Sequence, residues 1–176
     1  MIKWRPFNFE NIEYDLTHLH PFEIEFKQQA SKDKPEKSYL FEVCFSLHCF
    51  TYKDLGGTDK RLLYSDARES RVFCFERYEL SKNLPKIVRT IFERNCYHTG
   101  HSNYFTVEFI NQQGETVEYQ VYFSVSKSSQ RKGLLNLYIQ SAYPNTRGKG
   151  HKDKKPIRFR VIAYNSLVGK QIKPPA

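Results

Sequence analysis

The sequence predicts a single α+β domain: a β-rich N-terminal half, one main helix, then a four-stranded antiparallel meander. Three observations carry that expectation. At 176 residues the chain can build one good hydrophobic core but is short for two. Its apolar content is aromatic, with 12 Tyr and 14 Phe against a single Met and a single Trp, which suits strands better than a Leu/Ala-rich bundle. Its apolar period is two on both sides of one stretch where it becomes helical. Within the one domain, residues 1–76 form the β-rich region, 77–164 the helix and sheet, and 165–176 a loosely held tail.

Element by element, "PFEIEFK" (21–27) alternates Phe22, Ile24 and Phe26 against Glu23, Glu25 and Lys27, as a half-buried strand does. The polar "KQQASKDKPEK" follows as a surface loop. "YLFEVCFSLHCFTY" (39–52) is apolar on both parities and reads as a strand partly covered on both faces. Past a Gly-Gly turn come the short "RLLYS" and the strand "RVFCFER" (71–77). In "LSKNLPKIVRTIFERN" (80–95), Leu84, Ile87, Val88, Ile91 and Phe92 fall at helical spacing, with Ser81 as N-cap and Pro85 in the first turn. "NYFTVEFI" and "ETVEYQVYFSVSK" make a hairpin turning near Gly114, and "LLNLYIQSAYP" and "IRFRVIAY" complete the four strands.

Charge is distributed unevenly. Net charge is +9; residues 1–88 hold 14 Lys+Arg and 14 Asp+Glu, while residues 89–176 hold 14 and 5. Such a field suits a polyanion, either nucleic acid or an acidic membrane surface, although a basic chain can also be merely soluble. No window approaches the roughly 18 apolar residues needed to span a bilayer. Met1-Ile2-Lys3-Trp4-Arg5 leads into no signal-peptide core, so a cytoplasmic protein without a membrane role is expected. Cys44, Cys49, Cys74 and Cys96 sit in or beside apolar runs and read as buried free thiols.

Because side chains leave a strand alternately on two faces, parity sorts the second sheet. Val117, Tyr119, Val121, Phe123 and Val125 form one core set; Leu135, Leu137 and Ile139 another; Ile157, Phe159, Val161 and Ala163 a third. The opposite face then gathers Tyr122, Tyr138, Gln120, Gln140, Asn136, Arg158 and Arg160: rings, amides and guanidinium forks of the kind that bind single-stranded RNA. The loop 145–155 adds Arg147, Lys149, Lys152, Lys154 and Lys155 for backbone phosphates. The plainer alternative is an ordinary wet face of an antiparallel sheet beside a solvated connector.

For chemistry, "CYHTGHSNY" (96–104) places His98 and His101 between helix and sheet, where loop residues on a rigid frame often act. Metal-independent RNA cleavage needs a base for the 2′-OH, an acid for the leaving 5′-oxygen and a cation for the phosphorane. The two imidazoles suit the first roles, and Arg158, Arg160 or Lys127 the third. Ser141 and Tyr143 are candidates to orient the phosphate, with Ser141's shared parity with Leu137 and Ile139 pointing instead to burial. A zinc reading competes, through Cys96, His98 and His101 or through Cys44, His48 and Cys49, but neither set has a regular zinc-finger spacing. His48 among Phe and Cys reads as structural; His18, His20 and His151 carry no clear role. No phosphate-binding Gly loop, G-x-S-x-G elbow or H-E-x-x-H is present, and no cofactor is expected.

One helix followed by a four-stranded meander, with "LYIQSAYP" (137–144) near the end, resembles the barnase/EndoU/colicin/RelE-type ribonuclease superfamily over about residues 81–164. Ser141-Ala142-Tyr143-Pro144 carries the likeness. The resemblance implies metal-independent endoribonuclease activity of toxin type and, as a partner, an acidic inhibitor or antitoxin. Two rival readings use the same face: a non-catalytic single-stranded nucleic-acid-binding module, and a protein-interaction module.

Overall fold

The computed structural model describes residues 2–30, 35–99, 103–110, 114, 116–145 and 155–173. In chain order the strands are β1 (Phe7–Phe9), β2 (Ile12–Tyr14), β3 (Phe22–Gln28), β4 (Lys37–Phe45), β5 (Thr51–Tyr52), β6 (Leu63–Ser65) and β7 (Ser70–Phe73). Helices α1 (Phe75–Ser81) and α2 (Leu84–Arg89) follow, then β8 (Asn95–His98), β9 (Asn103–Ile110), β10 (Thr116–Lys127), β11 (Leu134–Pro144), β12 (Ile157–Arg158) and α3 (Phe159–Val168). The protein is α+β and strand-rich, as expected. Its main sheet has seven strands in the order β12-β8-β9-β10-β11-β4-β3.

The antiparallel meander is present, but its members are β8-β9-β10-β11. The N-terminal half joins the same sheet through β4, which lies parallel to β11, and β3 closes that edge. The hairpin β1-β2 and the small sheet β5-β7-β6 form a separate aromatic layer, with the Phe7 and Phe73 rings stacked at 4.0 Å. Trp4 Nε1 donates to the Phe45 carbonyl at 3.1 Å and ties that layer to the end of β4.

Two elements differ from the sequence expectation, each for a local reason. The single helix over 80–95 is instead α1, α2 and a 3₁₀ turn at Ile91–Glu93, and α1 takes residues 75–77 from the expected strand. Pro85 has no N–H to donate to Ser81, the last residue of α1, and its ring crowds that carbonyl, so the helix restarts. The expected strand "IRFRVIAY" is paired only at Ile157–Arg158 and becomes helical from Phe159. Phe159, Ile162, Ala163 and Ser166 are buried at helical spacing, i, i+3, i+4, i+7. Gly169, at φ +73°, ends the helix, with its N–H and that of Lys170 returning to the carbonyls of Ser166 and Asn165. Residues 165–168 of the expected loose tail therefore belong to α3, and Ile172 packs against the core.

Helix α3 covers the inner face of the sheet. The Phe159 ring meets Phe26, Phe41, Phe92 and Phe123 at centroid distances of 5.6–6.3 Å. The expected core parity of β10 and β11 is present: Tyr119, Val121, Phe123, Leu135, Leu137 and Ile139 are fully buried. One irregularity changes the rest of β11. Tyr122 pairs with Ser141 but Phe123 pairs with Ile139, leaving Gln140 as the extra residue of a β-bulge. Beyond it the parity reverses, so Ala142 is the buried residue while Ser141 and Tyr143 face outward with Tyr122. Ser141 is thus not a core residue, because the bulge adds one step to the alternation. Among the described residues no helix is long and apolar enough to cross a membrane.

Candidate functional site

The outer face of the sheet carries a row of tyrosines. Direct cross-strand pairing sets Tyr97 of β8 against Tyr104 of β9, and Tyr104 against Tyr122 of β10. Ring centroids lie 5.5 Å apart for Tyr97–Tyr104, 5.2 Å for Tyr104–Tyr122 and 5.4 Å for Tyr122–Tyr143, the last two pairs stacked within 23° of parallel. The Arg77 guanidinium of α1 closes the row, 5.2 Å from the Tyr143 centroid, while its Nη1 donates to the Thr51 carbonyl at 2.7 Å. Burial, then the hydrogen bond to Tyr143, pushes the Tyr122 phenol well above its ordinary range; burial and the neighbouring Tyr97 raise Tyr104. Tyr122 Oη donates to Gln120 Oε1 at 2.9 Å.

The row changes the role of Tyr122. Both of its ring faces are taken, one by Tyr104 and one by Tyr143, and Tyr104 is itself buried. These rings stiffen the sheet and hold the bulged end of β11, and Tyr122 keeps no ring face on which a base can stack.

Beside the bulge lies a cleft of about 350 Å³, between β11 and the turn that precedes β7. Tyr138 and Gln140 form one wall, and His48, Arg68 and Glu69 the other. A 3₁₀ turn at Leu47–Cys49 presents His48, with Ser46 Oγ accepting its backbone N–H. His48 Nε2 sits 2.7 Å from Glu69 Oε1, and Arg71 Nη1 donates to Glu69 Oε2 at 3.2 Å. Arg71 is in turn held by its Nε donating to Thr51 Oγ1. Burial pushes the Glu69 carboxyl up, but His48 and Arg71 outweigh it and hold the group below the usual carboxylate range. Asp66 is likewise raised by burial and brought down further by the backbone N–H groups of Arg68 and Glu69.

Both carboxylates of the cleft are therefore satisfied from within the protein. Among the described residues no carboxylate comes within ion-pair distance of the Arg68 guanidinium, whose charge acts on Asp66 only from farther away. Tyr138 is half-buried and lines the cleft. The arrangement can hold a planar group on Tyr138, hydrogen-bond it through Gln140 and contact an anion through Arg68.

The residues expected from sequence divide into four groups. Tyr138 and Gln140 line the cleft; Tyr122 and Tyr143 belong to the row. His98 stands opposite Asn103 and leaves β8 on the side away from Tyr97, whereas Arg158, opposite Asn95, falls on the Tyr97 side at the sheet edge. Arg160 is on α3, on the far side of the sheet, and Lys127 is exposed at the other end of β10. The structure does not bring His98, Arg158, Arg160 and Lys127 together. His101, Arg147, Lys149, Lys152 and Lys154 lie outside the described residues, and Lys155 is exposed just before β12. Of the alternative zinc sets, Cys49 and Cys96 are buried, with burial pushing each thiol up to about 12. Among the described residues no three His, Cys, Asp or Glu are grouped to hold a metal ion.

Sequence reasoning set His48 aside as structural and did not single out Arg68 or Glu69. His48 and Glu69 are 21 positions apart and no spacing links them; they meet because β5 and β6 both pair with β7. The one available signal was a histidine between Leu47 and Cys49 with serine two residues before it.

Comparison with known proteins matches residues 6–167 to the YjaZ family. Protein YjaZ of Escherichia coli (strain K12) is 34% identical over 180 residues, covering 99% of this chain and 96% of that protein. No solved structure matches.

Proposed function

This chain belongs to the YjaZ family, and we propose that it binds single-stranded RNA, with one nucleotide seated in the cleft between Tyr138 and His48. The observation that carries the reading is that two of the face residues singled out for RNA contact, Tyr138 and Gln140, share a cleft with Arg68. A base stacks on Tyr138, Gln140 hydrogen-bonds its edge, and Arg68 contacts the adjoining phosphate. The +9 net charge supplies long-range attraction to the polyanion.

The test is titration of a fluorescent single-stranded RNA with wild type, Tyr138→Ala and Arg68→Ala at several salt concentrations. Loss of one stacked base weakens binding by about five- to 150-fold. Loss of one phosphate contact lowers the slope of log K against log salt by about 0.7. Absence of binding by wild type at low salt, or indifference to both substitutions, rejects the reading.

A second reading, cleavage of the bound RNA, is favoured by the pairing of His48 with Glu69 in that same cleft. An imidazole oriented by a carboxylate suits removal of the ribose 2′-OH proton. The 2′-oxygen then bonds to phosphorus as the bond to the 5′-oxygen breaks, and that oxygen takes a proton back from the imidazolium. A cyclic phosphate product formed in EDTA, lost in His48→Ala while RNA binding persists, supports this reading; intact RNA with wild type rejects it.

A further inference from the structure

On the far side of the sheet, where α3 begins, a second cavity of about 480 Å³ opens between α3 and the paired ends of β3 and β4. Apart from Gln28, its uncharged lining is apolar and aromatic: Pro35, Tyr39 of β4, and Val161 and Tyr164 of α3. Tyr39 is buried, while Val161 and Tyr164 are each 42% exposed on a helix that buries Phe159, Ile162, Ala163 and Ser166. Two cations stand at the rim. Lys37 Nζ lies 4.4 Å from the Tyr164 ring centroid and 5.4 Å from that of Tyr39, and Arg160 precedes Val161. Among the described residues neither cation has a carboxylate within ion-pair distance, and no lining residue is acidic.

The geometry points to a binding site for a small aromatic carboxylate, its ring between Tyr39 and the Val161–Tyr164 face of α3 and its carboxylate held by Lys37 and Arg160. The volume falls in the range of small-molecule pockets, which bury an apolar body and orient it with a few polar groups. A largely apolar slot whose charged lining residues are both cations selects a ligand with one anionic end. A neutral aromatic gains the slot without the charge, and a dianion pays to desolvate a second charge against apolar walls. The Tyr39 and Tyr164 rings in the lining favour an aromatic body over a flexible alkyl chain, which loses more conformational freedom on binding. The site is separate from the RNA cleft and lies on the opposite side of the sheet.

The experiment is titration of the full chain with 2-naphthoate, followed by ligand fluorescence and by NMR shifts of the protein. 2-Naphthalenemethanol serves as the neutral isostere and octanoate as the aliphatic carboxylate. The expected result is saturable naphthoate binding, weaker by about tenfold for Arg160→Ala and for Lys37→Ala. The same two substitutions leave naphthalenemethanol unchanged, and Val161→Asp abolishes naphthoate binding. Arg160 and Val161 are exposed, so thermal melts of their variants should match wild type, and Tyr138→Ala in the RNA cleft should leave naphthoate binding intact. Absence of saturable naphthoate binding, equal binding of alcohol and carboxylate, or tighter binding of octanoate overturns the proposal.

Discussion

Substituting Val161 and Ile162 one at a time separates the helix at the end of the chain from a strand over the same residues. In α3, Ile162 is fully buried while Val161 is 42% exposed. A strand that buried Ile157 and Phe159 would reverse them, with Val161 inside and Ile162 outside. Replacing a fully buried isoleucine by alanine removes three carbons from the layer between α3 and the sheet and leaves a cavity, at a cost of about 2–5 kcal/mol. Truncating an exposed valine away from any specific contact changes stability by about 0.5 kcal/mol or less. For a chain of this size each kcal/mol moves Tm by about 2–4 °C. Ile162→Ala should therefore melt about 4–20 °C below wild type and Val161→Ala within about 2 °C of it, followed by circular dichroism. If Val161→Ala proves the more damaging of the two, the packing of α3 described above is wrong.

Further outcomes follow from the same contacts. Alkali should destabilise the protein: a thiol or phenol whose folded pKa lies above its unfolded value stabilises fully below the unfolded value and loses that contribution as pH rises through the folded one. With Cys49 and Cys96 each pushed from 9.0 to about 12, and Tyr104 and Tyr122 also raised, the urea midpoint should fall steadily from pH 9 to 12. A midpoint flat across that window contradicts it. Tyr122→Phe removes the donor to Gln120 Oε1 and should cost about 1 kcal/mol in urea denaturation, since Gln120 is buried. Gly169→Ala places a side chain at φ +73°, and a loss of about 1 kcal/mol is expected with no change in RNA binding.

Much of the outer face was readable from alternation alone. The inward set of β10 and the first half of β11 follow period two, and so do Tyr122 and Tyr138 on the opposite side. Alternation then failed at Gln140, because nothing in "LYIQSAYP" distinguishes a bulge from a regular strand; Ser141 and Tyr143 changed face as a result. It failed again in "IRFRVIAY", where a short run with apolar residues at 157, 159, 161, 162 and 163 fits both periods. The helix there is decided by whether Ile162 or Val161 meets the sheet, a contact between segments distant in the chain.

Composition and local pattern by themselves determined an aromatic, strand-rich α+β chain whose positive charge is concentrated in its second half, since such properties depend on residue type and on neighbours a few positions away. Only the tertiary structure decided which polar groups stand together. His48, Arg68, Glu69, Tyr138 and Gln140 come from segments up to about 90 positions apart and meet through the parallel pairing of β4 with β11 and the closure of the small sheet around β7. Pairing between distant strands is chosen by burial of the whole core, and no local stretch encodes it.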